Sequence, residues 1–257
     1  MIEIKNLCKS FEHKVVLDHI NLNVCRGETK VIIGRSGTGK SVLLKSIIGI
    51  IRPDRGSIKI NGVEVTDLAE KEYNKTRMEI GMVFQSGALF DSMTVEDNVA
   101  FVLNEFLPLD PKTVRDRVAD TLALVGLTGI EDMMPSELSG GMKKRVSLAR
   151  ALCMEPRIIL YDEPTSEVDP ITADAINNLI MEMRDKLKVT SLVVTHDMNS
   201  AYKIADTIVM LYRGKVIAEG KPDEIRSSRH PVVKQFVHGE AHGPITDDEH
   251  LVFGHVR

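Results

Sequence analysis

The amino-acid sequence predicts an α/β fold with a mainly parallel core sheet, an N-terminal antiparallel β subdomain and a helical lobe. Three β-branched apolar runs, at residues 158–161, 191–194 and 208–211, are separated by helical patterns. Strands that are apolar along their whole length are typical of a parallel sheet with helices on both faces. The N-terminal segments instead alternate polar and apolar residues, which indicates half-buried antiparallel strands.

The N-terminal β subdomain is predicted from alternating segments at residues 2–4, 20–24 and 57–65. Within the third segment, Asn61 and Gly62 form a dipeptide that favours a two-residue hairpin turn. We therefore expect this segment to fold back on itself.

The helical lobe is predicted over about residues 90–135. Residues 94–97 have the form of a capping box, and Asp110 followed by Pro111 has the form of an N-cap with proline at the first helical position. The stretch from residue 94 to about residue 134 is therefore expected to be helical.

A glycine-rich turn joins the apolar residues 30–33 to a helical pattern at residues 42–48. It fits G-x-x-x-x-G-K-[ST] in the strand-to-helix context that a phosphate-binding loop requires. Glycines let backbone N–H groups approach phosphate oxygens, and the positive end of the helix dipole faces the same anion. Lys40 is expected to reach the β- and γ-phosphates, and Ser41 to offer a hydroxyl to Mg²⁺. The predicted nucleotide-binding residues of this loop are Gly34, Arg35, Ser36, Gly37, Thr38, Gly39, Lys40 and Ser41.

Two acids follow the apolar run at residues 158–161. Ligands bind at the carboxyl edge of parallel sheets, so Asp162 and Glu163 are expected to face the phosphate loop. Asp162 is predicted to hold Mg²⁺ through its waters, and Glu163 to act as the general base toward the attacking water.

Residues 138–142 read L-S-G-G-M and begin another helical pattern, which is a second helix N-terminus suited to an anion. Together with the phosphate loop and the two acids, this segment resembles the L-S-G-G-Q signature of the nucleotide-binding subunits of ABC transporters. The resemblance covers almost the whole chain. It implies a P-loop ABC-type ATPase that hydrolyses ATP with Mg²⁺, and it implies that Ser139, Gly140 and Gly141 contact ATP.

Further positions are similar to the same family. Gln85 resembles the glutamine of its Q-loop, which implies a contact with the γ-phosphate and with Mg²⁺. His196 resembles its switch histidine and joins Glu163 and Lys40 as the predicted catalytic residues. Phe11 matches the aromatic residue that stacks on adenine.

The D-loop of the family corresponds to residues 166–169, with Asp169 at the expected acid. Two positions depart from the common pattern. Met142 replaces glutamine at the end of the signature, and Glu167 replaces glycine in the D-loop. Glu167 adds a negative charge near the expected contact between subunits, where it is expected to tune dimer closure.

The resemblance also implies partners. In this family the phosphate loop of one subunit meets the signature of the other, so a second copy of the chain is expected, together with integral membrane permease subunits that contact the region of Gln85 and the helical lobe. The segments at residues 231–239 and 243–245 resemble the ATPases of bacterial MCE/Mla-type phospholipid-trafficking systems. That implies an MCE-domain lipid-binding protein as a partner and a location on the cytoplasmic face of the bacterial inner membrane.

The expected domain division is an ABC ATPase domain at residues 1–229 and a C-terminal extension at residues 230–257. The composition becomes polar from His230 onward, so the extension is expected to be extended and weakly ordered by itself. We also expect Phe236 and its apolar neighbours to dock on a neighbouring subunit, because such a cluster on a solvated tail is unfavourable.

Composition excludes several classes of protein. The net charge of −4 shows no basic excess of the kind that nucleic-acid binders carry. The three cysteines, Cys8, Cys25 and Cys153, lack C-x-x-C spacing and are expected to be reduced thiols.

Two alternative functions share the same catalytic motifs. One is the ATPase of an amino-acid or other small-solute importer, and the other is an ABC ATPase that does not act in transport.

Overall fold

The N-terminal segments form the antiparallel sheet that their alternating patterns predict. The structure is a computed structural model that describes residues 1–247. The sheet has the strand order β2-β1-β4-β5, and every neighbouring pair is antiparallel. Asn61 and Gly62 close the β4–β5 hairpin with φ angles of 52° and 81°, which confirms the predicted turn. The strands are β1 (Ile2–Phe11), β2 (Lys14–Val24), β4 (Arg55–Ile60) and β5 (Val63–Glu64).

The second sheet has six strands in the order β10-β9-β3-β8-β7-β6. All neighbours are parallel except β9 and β10, so the predicted mainly parallel core sheet is confirmed. The three apolar runs of the sequence are its strands β7, β8 and β9. The strands are β3 (Thr29–Ile33), β6 (Ile80–Val83), β7 (Ile158–Asp162), β8 (Thr190–Thr195), β9 (Thr207–Tyr212) and β10 (Lys215–Gly220).

Helices cover both faces of the core sheet. Among residues 1–247, no helix is long and apolar enough to cross a bilayer. The helices are α1 (Lys40–Ile47), α2 (Glu70–Arg77), α3 (Val95–Phe106), α4 (Pro111–Leu124), α5 (Gly140–Leu152), α6 (Pro170–Leu187), α7 (Met198–Ile204), α8 (Pro222–Arg226) and α9 (Pro231–His238).

Thr94 and Asp110 are the N-caps of the two helices of the lobe, so the N-cap half of the predicted capping box is present. Thr94 Oγ1 accepts from the backbone N–H of Asp97 at 3.1 Å, and Asp110 accepts from two N–H groups of the first turn of α4. The expectation of helix as far as residue 134 was wrong after Leu124, because Gly126 and Gly129 adopt positive φ angles that end the helix.

The core sheet divides the interior into two clusters, because successive side chains of its strands point to opposite faces. Val31 and Ile33 of β3 pack with helices α3 to α6, including Val99. Ile32, between them, packs on the other side with α1, including Leu44, and with the N-terminal sheet. The two faces of β3 therefore join the helical lobe and the β subdomain to one scaffold.

The expectation of an extended segment after His230 was wrong. Residues Pro231–His238 form α9, and Val233 is fully buried against the core. Gln235 is buried and accepts from the N–H of Ile245 at 2.7 Å, which fixes the chain beyond the helix. Phe236, expected to dock on another subunit, packs half-buried against the core of its own chain. The expected extension reaches residue 257, and its last ten residues lie outside the described residues.

Candidate active site

The phosphate loop lies between β3 and α1, as the motif predicts. Gly39 has a φ of 101°, and a Cβ at this position would lie 2.8 Å from the carbonyl oxygen of Val16, so only glycine fits. Lys40 folds back over the loop and donates from Nζ to the carbonyl oxygens of Gly34 at 2.7 Å and Arg35 at 3.1 Å. Burial leaves the Lys40 ammonium poorly solvated, and this lowers its pKa. An anion in the loop would meet this cation directly.

Ser41 and Asp162 form the part of the site that suits a divalent cation. Ser41 Oγ donates to Asp162 Oδ1 at 2.7 Å, joining the start of α1 to the end of β7. Burial raises the pKa of Asp162, and the hydrogen bond from Ser41 opposes that rise. A hydroxyl and a buried carboxylate are hard oxygen ligands of the kind Mg²⁺ binds, so the residues present fit this ion.

Glu163 is held between two basic side chains. Its Oε1 lies 3.5 Å from Lys40 Nζ, and its Oε2 lies 2.9 Å from His196 Nδ1. The residue has a left-handed φ of 49°, which costs a non-glycine residue on the order of 1 kcal/mol. Such strained positions concentrate at functional sites.

Lys40, Ser41, Glu163 and His196 line one open cleft of about 310 Å³. The aromatic ring of Phe11, 43% exposed at the end of β1, forms part of its wall. Arg35 and Thr38 line a neighbouring cavity behind the phosphate loop instead. The residues around the cleft are Phe11, Val16, Ser36, Gly37, Gly39, Lys40, Ser41, Val42, Gln85, Glu163 and His196.

The signature residues form a second cluster, which does not line the cleft. Ser139 caps α5 and accepts from the N–H of Met142 at 3.3 Å. Asp169 caps α6 and accepts from the N–H of Thr172 at 3.0 Å. The two helix N-termini are neighbours, since a Cβ on Gly141 would lie 2.6 Å from Cγ2 of Thr172. Within one chain, the structure therefore separates the signature from the phosphate loop.

Three features were not found from the sequence. Val16 lines the cleft, and no motif marks it. Lys144 is buried and donates to the carbonyl oxygen of Gln85, although its neighbours in sequence are polar. Its position one turn before the buried Leu148 was the available signal. Glu167 has a left-handed φ of 62°, which explains in physical terms why glycine suits this position.

The chain is similar to known ATP-binding proteins of transport systems. The sequence profile described as ABC transporter matches residues 17–166. The chain is 44% identical over 244 residues to the probable ribonucleotide transport ATP-binding protein mkl of Mycobacterium leprae, covering 95% of this chain and 70% of that protein. It is 41% identical over 245 residues to the intermembrane phospholipid transport system ATP-binding protein MlaF of Haemophilus influenzae, covering 95% and 93% of the two chains.

A solved structure has the same fold. It is a dimeric ATP-binding cassette in a post-hydrolysis state, bound to ADP and Pi. It superposes with a TM-score of 0.80 at 33% identity, covering 86% of this chain and 99% of the other.

Proposed function

The chain belongs to the ABC transporter family of ATP-binding proteins, and from this membership we propose that it energises phospholipid transport between bacterial membranes. Proteins of this family bind ATP with Mg²⁺ and hydrolyse it, and so does this chain. The observation that carries the site assignment is that Lys40, Glu163 and His196 line one cleft at the phosphate loop, and Asp162 is hydrogen-bonded to Ser41 of the same cleft.

We assign the roles of these side chains from their positions. Lys40 and the N–H groups of the loop bind the β- and γ-phosphates of ATP. Ser41 and Asp162, with Gln85 at the cleft, would hold Mg²⁺, which neutralises charge on the phosphate oxygens. Glu163 accepts a proton from the attacking water as general base, and His196 fixes its carboxylate at 2.9 Å. Phe11 offers a face on which adenine stacks.

The separation of the signature from the phosphate loop supports a working unit of two copies. Ser139, Gly140 and Gly141 would complete the cleft of a second chain, with Asp169 beside them at the contact. ATP between the two surfaces adds contacts that exist only in the closed pair, so it shifts the equilibrium toward closure. Hydrolysis removes the γ-phosphate and reopens the pair.

An apolar groove supports the proposed contact with a membrane permease. It has a volume of about 410 Å³ and lies between β6, α3 and α5, with Phe84, the residue before Gln85, in its lining. Phe90 and Phe101 meet in it with ring centroids 4.8 Å apart, and the guanidinium of Arg150 lies 5.9 Å from the Phe90 ring. Such a groove is suited to a short apolar segment with a polar or acidic end, which a permease loop would supply.

The similarity to MlaF supports the phospholipid assignment, because it extends over nearly the full length of both chains. We therefore also propose an MCE-domain lipid-binding protein in the complex and a position at the cytoplasmic face of the bacterial inner membrane, through the permease. Residues 1–229 would form the ATPase domain and residues 230–257 its extension.

The experiment is purification of the native complex in detergent, with identification of its proteins and bound lipids by mass spectrometry. We expect a permease, an MCE-domain protein and phospholipid. The complex in proteoliposomes should hydrolyse ATP faster when phospholipid acceptor vesicles are added. Stimulation by a ribonucleotide or an amino acid, with no MCE-domain protein present, would favour a small-solute importer. A chain that copurifies with no membrane protein would contradict the transport assignment.

A further inference from the structure

Three lysines are buried among residues 1–247, and one of them has no carboxylate partner there. Lys30 pairs with Glu219 at 2.5 Å, and Lys40 lies 3.5 Å from Glu163. Lys144, only 7% exposed, is instead held by neutral oxygen atoms. Burying an ammonium without a counter-ion costs free energy, so its position calls for a physical explanation.

The ammonium of Lys144 joins two loops that flank the candidate active site. It donates to the backbone carbonyl oxygen of Gln85, 59 residues earlier in the chain. It also lies 3.4 Å from the hydroxyl of Ser166, which accepts from it. Lys144 itself belongs to α5, the helix that the signature begins. One side chain of the signature helix therefore contacts both the Q-loop and the D-loop.

The contact with Ser166 continues to the proposed general base. Ser166 Oγ accepts from Lys144 and donates to the carbonyl oxygen of Glu163 at 2.8 Å, and the N–H of Ser166 donates to the same oxygen at 3.1 Å. These bonds fix the carbonyl group of Glu163, a residue with a left-handed φ of 49°. A displacement of α5 would therefore reach the peptide unit that orients the Glu163 side chain.

Acidic side chains act electrostatically on the Lys144 ammonium at longer range. The negative charges of Glu167, Glu163 and Asp162 favour the charged form of Lys144, although burial lowers its pKa overall. The lysine is thus attracted toward the acidic end of β7 while its two hydrogen bonds set its direction. A neutral side chain of equal length would fill the space without either effect.

We propose that Lys144 is a positioning residue, which ties the signature helix to the Q-loop and, through Ser166, to the backbone of Glu163. The orientation of the general base then depends on where α5 lies relative to the core sheet. The proposal rests on the proposed role of Glu163 in hydrolysis, and it adds a residue that does not line the cleft.

The test compares steady-state ATP hydrolysis by the full chain and by variants at Lys144. Lys144→Met keeps the length and removes the charge and both hydrogen bonds. We expect kcat to fall at least about tenfold, because a small misplacement of a catalytic group has effects of this size. KM for MgATP should stay within about threefold, since the phosphate loop is unchanged. Lys144→Arg should recover most of kcat, and Lys143→Met on the same helix should match the parent chain.

Ser166→Ala tests the path and needs no change at Lys144. We expect a lower kcat at unchanged KM, and we expect the double variant Lys144→Met/Ser166→Ala to lose no more than Lys144→Met alone. If Lys144→Met fails to unfold cooperatively, the Ser166→Ala and Lys144→Arg results decide the question.

Several outcomes would overturn the proposal. The first two are a kcat for Lys144→Met within twofold of the parent and a folded Lys144→Arg that is as slow as Lys144→Met. The other two are an unchanged kcat for Ser166→Ala and a double variant in which the two reductions in kcat multiply. Glu163→Gln, run beside them, separates this proposal from the proposed function. Normal turnover by Glu163→Gln removes the role of Glu163, whereas a slow Glu163→Gln with a normal Lys144→Met removes only the role of Lys144.

Discussion

Nδ1 of His196 lies 2.9 Å from Oε2 of Glu163, and the backbone N–H of His196 donates to the same oxygen at 3.3 Å. The two residues are 33 positions apart in sequence. They meet because β7 and β8 are adjacent parallel strands whose carboxyl ends reach the same edge of the sheet. The sheet, rather than local sequence, builds the contact that directs the carboxylate toward the phosphate loop.

This contact predicts the behaviour of Glu163→Gln. The amide cannot accept a proton, so we expect kcat for ATP hydrolysis to fall by at least about 100-fold. Because Lys40 and the loop are unchanged and a negative charge beside the phosphate site is removed, affinity for ATP should not fall below that of the parent, as measured by equilibrium binding. Turnover at the parent rate would show that another group is the base.

Gly141 and Gly140 offer a matched pair for the contact between α5 and α6. An added Cβ would lie 2.6 Å from Cγ2 of Thr172 at Gly141, whereas it would meet nothing within 4 Å at Gly140. Thr172 is held in place by a 2.5 Å hydrogen bond to Asp169. Gly141→Ala should therefore reduce the free energy of unfolding by about 1–3 kcal/mol, and Gly140→Ala should not reduce it. Chemical denaturation measures both, and equal stabilities would contradict the close approach.

Gln235 predicts the stability of the C-terminal region. Its buried amide binds the N–H of Ile245 at 2.7 Å, the hydroxyl of Thr246 at 3.1 Å and the carbonyl of Glu240 at 3.2 Å. Gln235→Ala leaves these groups without their partner, so unfolding should become easier by about 1–3 kcal/mol. The exposed neighbour Lys234→Ala is the control and should change stability by less than about 0.5 kcal/mol. A Gln235→Ala chain as stable as the control would show that these three hydrogen bonds do not stabilise the chain.

The cysteines predict a pattern of chemical labelling. Cys153 is fully buried, and burial raises its pKa to about 11. At pH 8 only about one such thiol in a thousand is ionised, and the thiolate is the reactive form. Iodoacetamide should therefore modify exposed Cys25 in the native chain and Cys153 only after denaturation, as peptide mass spectrometry would record. Equal labelling of both in the native chain would contradict the packing of α5.

The sequence predicts the phosphate loop and the acidic end of β7 because each is a contiguous pattern with its own local geometry. Helix α9 was missed although its signal was present. The signal is the helical spacing of Val232, Val233, Phe236 and Val237 after Pro231, but the residues that follow are polar, which is typical of an extended tail. The burial of Lys144 could be inferred from its helical spacing to Leu148, but its contacts could not, because Gln85 and Ser166 are brought to it only by the folded chain.

The separation of Lys40 from Ser139 within one chain has a genetic consequence. In the proposed pair, a cell that makes only chains with a defective Lys40 has two damaged sites per pair, and the same is true for Ser139. When both defective genes are expressed together, a mixed pair gathers the two lesions into one site and leaves the other site intact. Complementation between two inactive alleles is therefore a property of how this fold distributes its residues.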